Sequence, residues 1–487
     1  MLGGASHYYQ EGICFMTISS VPVAVEAPSA LRRNTLGLPH AIIISVAVMS
    51  PAASIFFNTI PQAGVVGAAL PLCYVIGFII ALFVANQVSE MARELPSSGS
   101  AYTFVTVGLG PRWGFFTGWI GLLAIAIGVP FSFVFMSYNL EALIVRWFGV
   151  DIHWSIYFVA AVGLVFALAY AGIRQSLRLD IGFVIFEFGI CLLLAGLIFW
   201  QARQVGTISA LPFTLSGIPQ NGSLAVGIVL SVLSFIGFET AATLGEETRE
   251  PHRNIPRAVY GSMIVVGLFY ILMAYAATIG YGVNNMATGY FKDPAPFDTL
   301  GRHVGGALGG SAGSNIITSL IDVVGVLGFF SAALAIVNGG SRIIYAVGRD
   351  GLLPRWTAWT HPQRNTPAAA IGLLCGFGLL CGIPLGLKLQ PINAYGFLGT
   401  MDAILSLIIY LLISVACMRF FLKQRRAQFS FVRHGILPVL SMVITGGILA
   451  AVVASPGDAA LSYIPIIVGI YVILGVIGMA MQRPKAA

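Results

Sequence analysis

Ile42-Ile43-Ile44-Ser45-Val46-Ala47-Val48-Met49-Ser50-Pro51-Ala52-Ala53-Ser54-Ile55-Phe56-Phe57-Asn58 is an apolar stretch with a proline at its middle. Its character suits a helix crossing a bilayer, which needs about 20 mostly apolar residues. Pro51 removes one backbone donor and crowds the preceding turn, while Ser50 and Ser54 offer hydroxyls to the freed groups. Hydrocarbon cannot satisfy a broken backbone, so an interruption here belongs where protein or a cavity covers it. Taken alone, a proline kink in a packed helix would explain it equally well.

The remainder of the chain has the same character. Its 487 residues are 57% hydrophobic and 9% charged, with a mean hydropathy of +0.90. A soluble domain carries about 25% charge, so this composition cannot build a water-facing surface around a core. Apolar spans begin near His40, Val65, Phe115, Ser155, Ile181, Leu224, Val259, Ile316, Ala368, Asn393, Leu437 and Ser462. These predict an all-α polytopic membrane protein with 12 transmembrane helices and no large soluble domain. An even number of crossings puts both termini on one side. That side collects all of the 25 Lys and Arg except Arg146, Arg203, Lys292, Arg302 and Lys388. Basic loops stay cytoplasmic, so both termini are expected in the cytoplasm and the chain in the cell membrane. The net charge of +7 and pI of 9.1 then reflect anionic lipid headgroups as a partner, not nucleic acid.

Several common chemistries find no support. Five of the six cysteines (Cys73, Cys191, Cys375, Cys381 and Cys417) fall within spans, Cys14 precedes them, and none forms a CxxC pair. No disulfide framework or zinc site is expected. The histidines lie in loops or at span ends without a helical partner four residues away, so no metal site is expected either. The run Gly305 to Gly313 lacks a phosphate-loop ending and reads as a flexible outer loop. Neither a cofactor nor an enzymatic nucleophile and base is indicated. No signal peptide is apparent, and Met16 is an alternative start to Met1.

The sixth span holds a second interruption. It reads Leu230-Ser231-Val232-Leu233-Ser234-Phe235-Ile236-Gly237-Phe238-Glu239-Thr240-Ala241-Ala242, with a glycine beside an ionisable acid. Spans one and six occupy matching places if the first ten form two halves of five, and an odd number of crossings per half inverts the second. Interrupted segments at matching places point to the midplane site of a secondary transporter. The expected organisation is a cytoplasmic segment 1–38, a first five-helix repeat 39–202, a second inverted repeat 223–420, two peripheral helices 436–482 and a cytoplasmic end 483–487.

The loops carry more specific motifs. Glu90-Met91-Ala92-Arg93-Glu94-Leu95-Pro96-Ser97-Ser98-Gly99-Ser100-Ala101-Tyr102 follows span two, and Gly114-Phe115-Phe116-Thr117-Gly118-Trp119 opens span three. Glu246-Glu247-Thr248-Arg249-Glu250-Pro251-His252-Arg253-Asn254-Ile255-Pro256-Arg257-Ala258 follows span six, and Arg349-Asp350-Gly351-Leu352-Leu353-Pro354 follows span eight. These resemble the signatures of amino acid/polyamine/organocation (APC) permeases, in order and over nearly the whole chain. The resemblance implies a LeuT-type fold, with substrate bound between the broken first and sixth helices and moved by alternating access. It implies substrate contacts from Ser50, Pro51, Ala52, Ala53, Ser54 and Ile55, and from Ser234, Phe235, Ile236, Gly237 and Phe238. One of the two phenylalanines, Phe235 or Phe238, is expected to line or gate the site.

The chain also departs from family patterns. Amino acid members have a glycine-rich triplet whose amides receive the substrate carboxylate, where this chain has Pro51-Ala52-Ala53-Ser54. The serine-proline form and the Pro96 to Thr103 loop look more like amine importers. Leu233 stands where arginine/agmatine antiporters have a gating tryptophan.

Four acids fall inside spans: Glu187, Glu239, Asp322 and Asp402. An intramembrane carboxylate costs a few kcal/mol and marks a functional candidate. Glu239 follows the second break, where it would sense protons or tie down loose backbone. Glu187 falls near the place of a fifth-span lysine that replaces sodium in proton-coupled relatives. Both are expected proton-coupling residues. Asp322 and Asp402 either attract an ammonium group or make interhelical hydrogen bonds. Glu246 and Glu247 are expected to pair with basic residues among Arg249, Arg253, Arg257, Arg342 and Arg349 and to hold one access state closed, or to be solvated loop charges. The expected function is a proton-coupled secondary transporter for an amino acid or a related amine or polyamine. The alternatives are an exchanger without proton coupling and a permease-like nutrient sensor that binds without transporting.

Overall fold

The computed structural model describes residue 31 and residues 34–454 and 461–481. Cys14, Arg32, Arg33, Arg483, Lys485, the choice between Met1 and Met16, most of segment 1–38 and all of 483–487 lie outside the described residues.

The described chain is helical, and its one pairing of extended backbone is an isolated bridge between Leu36 and Thr248. The helices are α1 (Leu38–Met49), α2 (Pro51–Val66), α3 (Leu70–Glu94), α4 (Ala101–Leu109), α5 (Pro111–Phe148), α6 (Trp154–Ala171) and α7 (Ile173–Val205). They continue with α8 (Leu224–Leu233), α9 (Pro251–Tyr281), α10 (Pro296–Arg349), α11 (Ala368–Leu389), α12 (Pro391–Lys423), α13 (Leu437–Ala454) and α14 (Ile464–Met481). By length and apolarity, 11 helical stretches among the described residues could cross a membrane. The first of these, Leu38–Glu94, is 57 residues long and contains the first two spans expected from sequence.

Packing follows from which faces are apolar and small. α3 runs along α9, and α5 lies against α10 and α12, while α1 is enclosed by α9, α10 and α7. Residues on these inner helices, such as Ile44, Tyr74, Phe133 and Tyr270, are almost fully buried. Large apolar side chains such as Ile185 at 66% exposure, Leu380 at 78% and Val443 at 68% face outward. With no water-compatible surface to replace them, lipid is the solvent that suits this belt. The cysteines serve as packing groups: Cys73, Cys191, Cys375 and Cys417 are buried and Cys381 is half-buried, all as free thiols.

One expectation is corrected. The glycine-rich run is not a flexible loop but the inside corner of α10, whose helical geometry is interrupted only at Gly309 and Gly310. Gly310 has φ +58°, which glycine adopts without a side-chain clash. Gly305 and Gly313 press backbone against backbone across the corner, where a Cβ on either would strike the other arm. Composition signalled mobility, but these glycines permit a close approach.

Candidate functional site

The first break is a single residue. Ser50 has φ +44° and ψ 68° and separates α1 from α2. Pro51 explains the location, because its ring disfavours the α conformation in the residue before it. The loosened groups are collected by neighbours. Met49 O accepts from Ser54 Oγ at 2.8 Å and from Tyr270 Oη at 3.1 Å. Tyr270 also donates to Ser234 O at 3.0 Å, so one buried phenol joins the two breaks.

The second break spans Ser234 to Gly237, after which Phe238–Leu244 continue as a tighter 3-10 helix. Gly237 has φ +109°, and a Cβ there would run into Val48; both the conformation and the close approach of the two interrupted segments require glycine. Ser45 Oγ donates to Phe238 O at 2.6 Å and accepts from Ala241 N at 2.8 Å. Asn58 donates to Ser234 Oγ at 3.0 Å. The broken segments therefore satisfy much of each other's backbone.

Two of the four intramembrane acids are built into these breaks. Glu187, 1% exposed on α7, accepts a hydrogen bond from the Ala52 amide through Oε1. Ala52 lies in the first turn of α2, where amides lack helical partners and the helix dipole favours negative charge. Gly328 of α10 closes over this point: a Cβ there would stand 3.4 Å from Ser50 Oγ and 3.5 Å from Glu187 Oε1. Glu239 accepts from Tyr410 Oη at 2.7 Å and from Gly237 N at 3.2 Å, tying the unwound turn to α12. Asp322 lies elsewhere, paired with Arg146, which also reaches Asp298 at 3.2 Å. Arg146 of α5 donates to Asp322 of α10, so the interhelical hydrogen bond that was one of its two expected roles is present, within an ion-pair cluster. Asp402 makes no interhelical hydrogen bond with any described residue, contrary to one of its two expected roles, and lines the cavity described next.

A cavity of about 700 Å³ opens beside the breaks. Ser50, Ala53, Ser54, Ser234, Ile236 and Gly237 line it, as do Glu239 and Leu233. Pro51, Ala52, Ile55 and Glu187, expected or candidate site residues, do not line it. Phe235 and Phe238 are each 1% exposed and point into the core. Phe235 packs on Tyr270 with ring centres 5.1 Å apart, and Phe238 packs on Tyr410 at 5.6 Å. The aromatic rings on the cavity wall are instead Phe57, Phe131, Phe329, Tyr102 and Tyr395.

Asp180 was missed in the sequence. It is fully buried on α7, seven residues before Glu187 and on the same helix face, and it accepts from Ser331 of α10 at 2.9 Å. The seven-residue spacing of two acids was the available signal.

The cavity continues toward Gly99–Tyr102, at the basic end of the bundle. Glu246 accepts two hydrogen bonds from Arg349, both 3.1 Å, and one from Ser98 Oγ at 2.7 Å. Glu247 pairs with Arg342, which also donates to Asn338 O at 2.6 Å. Sequence neighbours do not take part: Arg249 donates to Asn34 O, and Arg253 reaches Glu250. Burial alone would raise the Glu246 carboxyl, but the Arg349 and Ser98 hydrogen bonds outweigh it and hold the group below the ordinary glutamate value of 4.5. A depressed carboxylate contributes stability that is present above its unfolded value and lost only as pH falls through the folded one. The Glu246–Arg349 pair is therefore intact through the neutral range. Glu246→Gln is expected to change transport rate without moving its pH profile between about pH 5 and 8, measured as uptake against pH in proteoliposomes. A shifted profile would assign Glu246 a titrating role.

Comparison with known proteins places this geometry. Residues 40–483 match the sequence model for amino acid permeases. The branched-chain amino acid permease of Bacillus subtilis is 27% identical over 444 residues, covering 87% of this chain and 88% of that protein. The low-affinity putrescine importer of Escherichia coli is 26% identical over 354 residues, covering 72% and 74%. A methylthioribose transporter of Bacillus subtilis is 23% identical over 416 residues, covering 82% and 83%.

Proposed function

We propose that this chain, which belongs to the amino acid permease family, is a proton-coupled transporter that moves an amino acid or a related amine through the cavity between its two chain breaks. The family and these relatives are multi-pass transporters of small molecules. The observation that carries the reading is the pairing of interruptions at Ser50 and Gly237 on one cavity, joined by Tyr270. Packed helices without a ligand to serve gain nothing from two unwound turns, whereas a transporter uses them to present backbone groups at the midplane.

Ten crossings in two halves of five, 39–202 and 223–420, with two peripheral helices after them, fit this reading. Helices at matching places, α3 with α9 and α5 with α10, pack on one another, as two repeats facing each other would. In the alternating-access cycle, the Glu246–Arg349 and Glu247–Arg342 pairs open and close the basic end, which we assign to the cytoplasm with both termini. Glu187 loads and releases the proton, since it accepts from the Ala52 amide in the first turn of α2 and a tilt of α2 would alter that contact. The experiment is uptake of labelled leucine and putrescine into proteoliposomes under an inward proton gradient. Accumulation that a protonophore collapses is expected. Accumulation driven by a sodium gradient alone would contradict proton coupling.

A further inference from the structure

The cavity holds an acid that the two breaks do not explain. Asp402 lies on α12 within a membrane span and lines the cavity. It takes part in no hydrogen bond and no ion pair with any described residue, and the charged group nearest in effect is another acid, Glu239. Glu239 is already held by Tyr410 and Gly237. Among the described residues, no Arg, Lys or His side chain is on the cavity wall. An acid kept inside a bilayer span normally has a partner in the protein or in what passes through it; here the described chain supplies none.

A second group on the same wall lacks a partner. Ser50 is 7% exposed, lines the cavity, and its Oγ makes no hydrogen bond. Donors for an anion, by contrast, are scarce at this turn. Pro51 has no N–H, the Ala52 amide is taken by Glu187, and the Ser54 amide goes to Ser50 O at 2.8 Å. Only the Ala53 amide and the Ser50 hydroxyl are left at this turn to meet a substrate carboxylate. The cavity thus offers an unpaired hydroxyl and two carboxyl groups, which complement a cation bearing N–H donors. A carboxylate entering it would meet two acids and no base, an arrangement that selects against the wrong partner.

We propose that Asp402 receives the protonated amino group of the substrate, and that the cavity selects an organic amine without a carboxylate. This rests on the transporter reading and narrows its substrate class.

Leucine and 3-methylbutylamine differ only in the carboxylate, so their comparison isolates it. Affinities of the purified full-length chain for leucine, 3-methylbutylamine and putrescine are measured by titration calorimetry, and counterflow of the same compounds in proteoliposomes. At least one amine is expected to bind about tenfold or more tightly than leucine. Asp402→Asn is expected to weaken amine binding by about tenfold or more and to narrow the amine-to-leucine ratio, whereas a general packing defect would weaken both alike. Asp402→Glu, which keeps the charge, should retain measurable amine binding. Leucine binding as well as the tighter of the two amines, absence of binding by both amines, or Asp402→Asn holding the amine within about twofold would each overturn the proposal. The comparison in the unmodified chain decides the matter even if the asparagine variant fails to fold. Amine-selective binding without counterflow would overturn transport and leave the amine site standing; leucine counterflow indifferent to amines would do the reverse.

Discussion

Glu187→Gln is expected to reduce uptake driven by an inward proton gradient by about tenfold or more, while counterflow, which needs no gradient, stays within a few-fold of the unmodified protein. The reason lies in what the substitution preserves. Glutamine is nearly the same size and keeps an acceptor oxygen for the Ala52 amide, so the junction of α7 with the start of α2 is retained. It loses the capacity to bind and release a proton. The charge-assisted character of the bond goes too, and such bonds are roughly twice as strong as neutral ones, which accounts for a modest change in counterflow. Glu239→Gln provides the contrast. Glu239 accepts from Tyr410 and Gly237, an anchoring arrangement, so its loss should depress counterflow and gradient-driven uptake together. Proton-driven accumulation that survives Glu187→Gln would remove Glu187 from the coupling mechanism.

The second large effect is on stability. Arg342 and Glu247 form an ion pair whose side chains are each 2% exposed. It ties the segment after the second break to α10. Removing one partner strands the other charge away from water, which costs about 3–5 kcal/mol. Arg342→Met and Glu247→Leu are each expected to lower the unfolding midpoint markedly in a thermal melt of the detergent-solubilised protein. Together they should recover most of the loss, because replacing a buried pair by apolar side chains of similar volume is often close to neutral. Additive losses in the double variant would show that each residue acts through separate contacts, Arg342 chiefly through Asn338 O. Counterflow by the double variant separates the two roles of the pair. A stable protein with altered rates would place it in the gate.

The breaks were the most legible part of the molecule, because each rests on a local rule. Pro51 disfavours the α conformation in Ser50 before it, and Gly237 is a residue that tolerates φ +109°. The apolar spans were legible for the same reason, since lipid imposes a length and composition on every crossing. Partners distant in the chain were not. Glu246 and Glu247 lie near three arginines in sequence yet pair with Arg349 and Arg342, about a hundred residues away, while Arg249 donates to Asn34 O and Arg253 reaches Glu250. Gly305 to Gly313 was misread because a loop and a tight helical corner ask for the same residue. Phe235 and Phe238 flank a break, but flanking does not decide which way a ring points; the 3-10 turn sends both into the core. Asp402 was recognisable as an acid in a span, whereas its lack of a partner depends on everything packed around it.

Counterflow tests the central claim most directly. Proteoliposomes loaded with an unlabelled amine or leucine at high concentration are diluted into a trace of the same labelled compound. The account predicts transient accumulation of label above the external concentration, abolished when the internal compound is omitted. Label that only equilibrates at the rate of empty liposomes, despite measurable binding to the purified protein, would identify a binding protein that does not transport and would contradict the account.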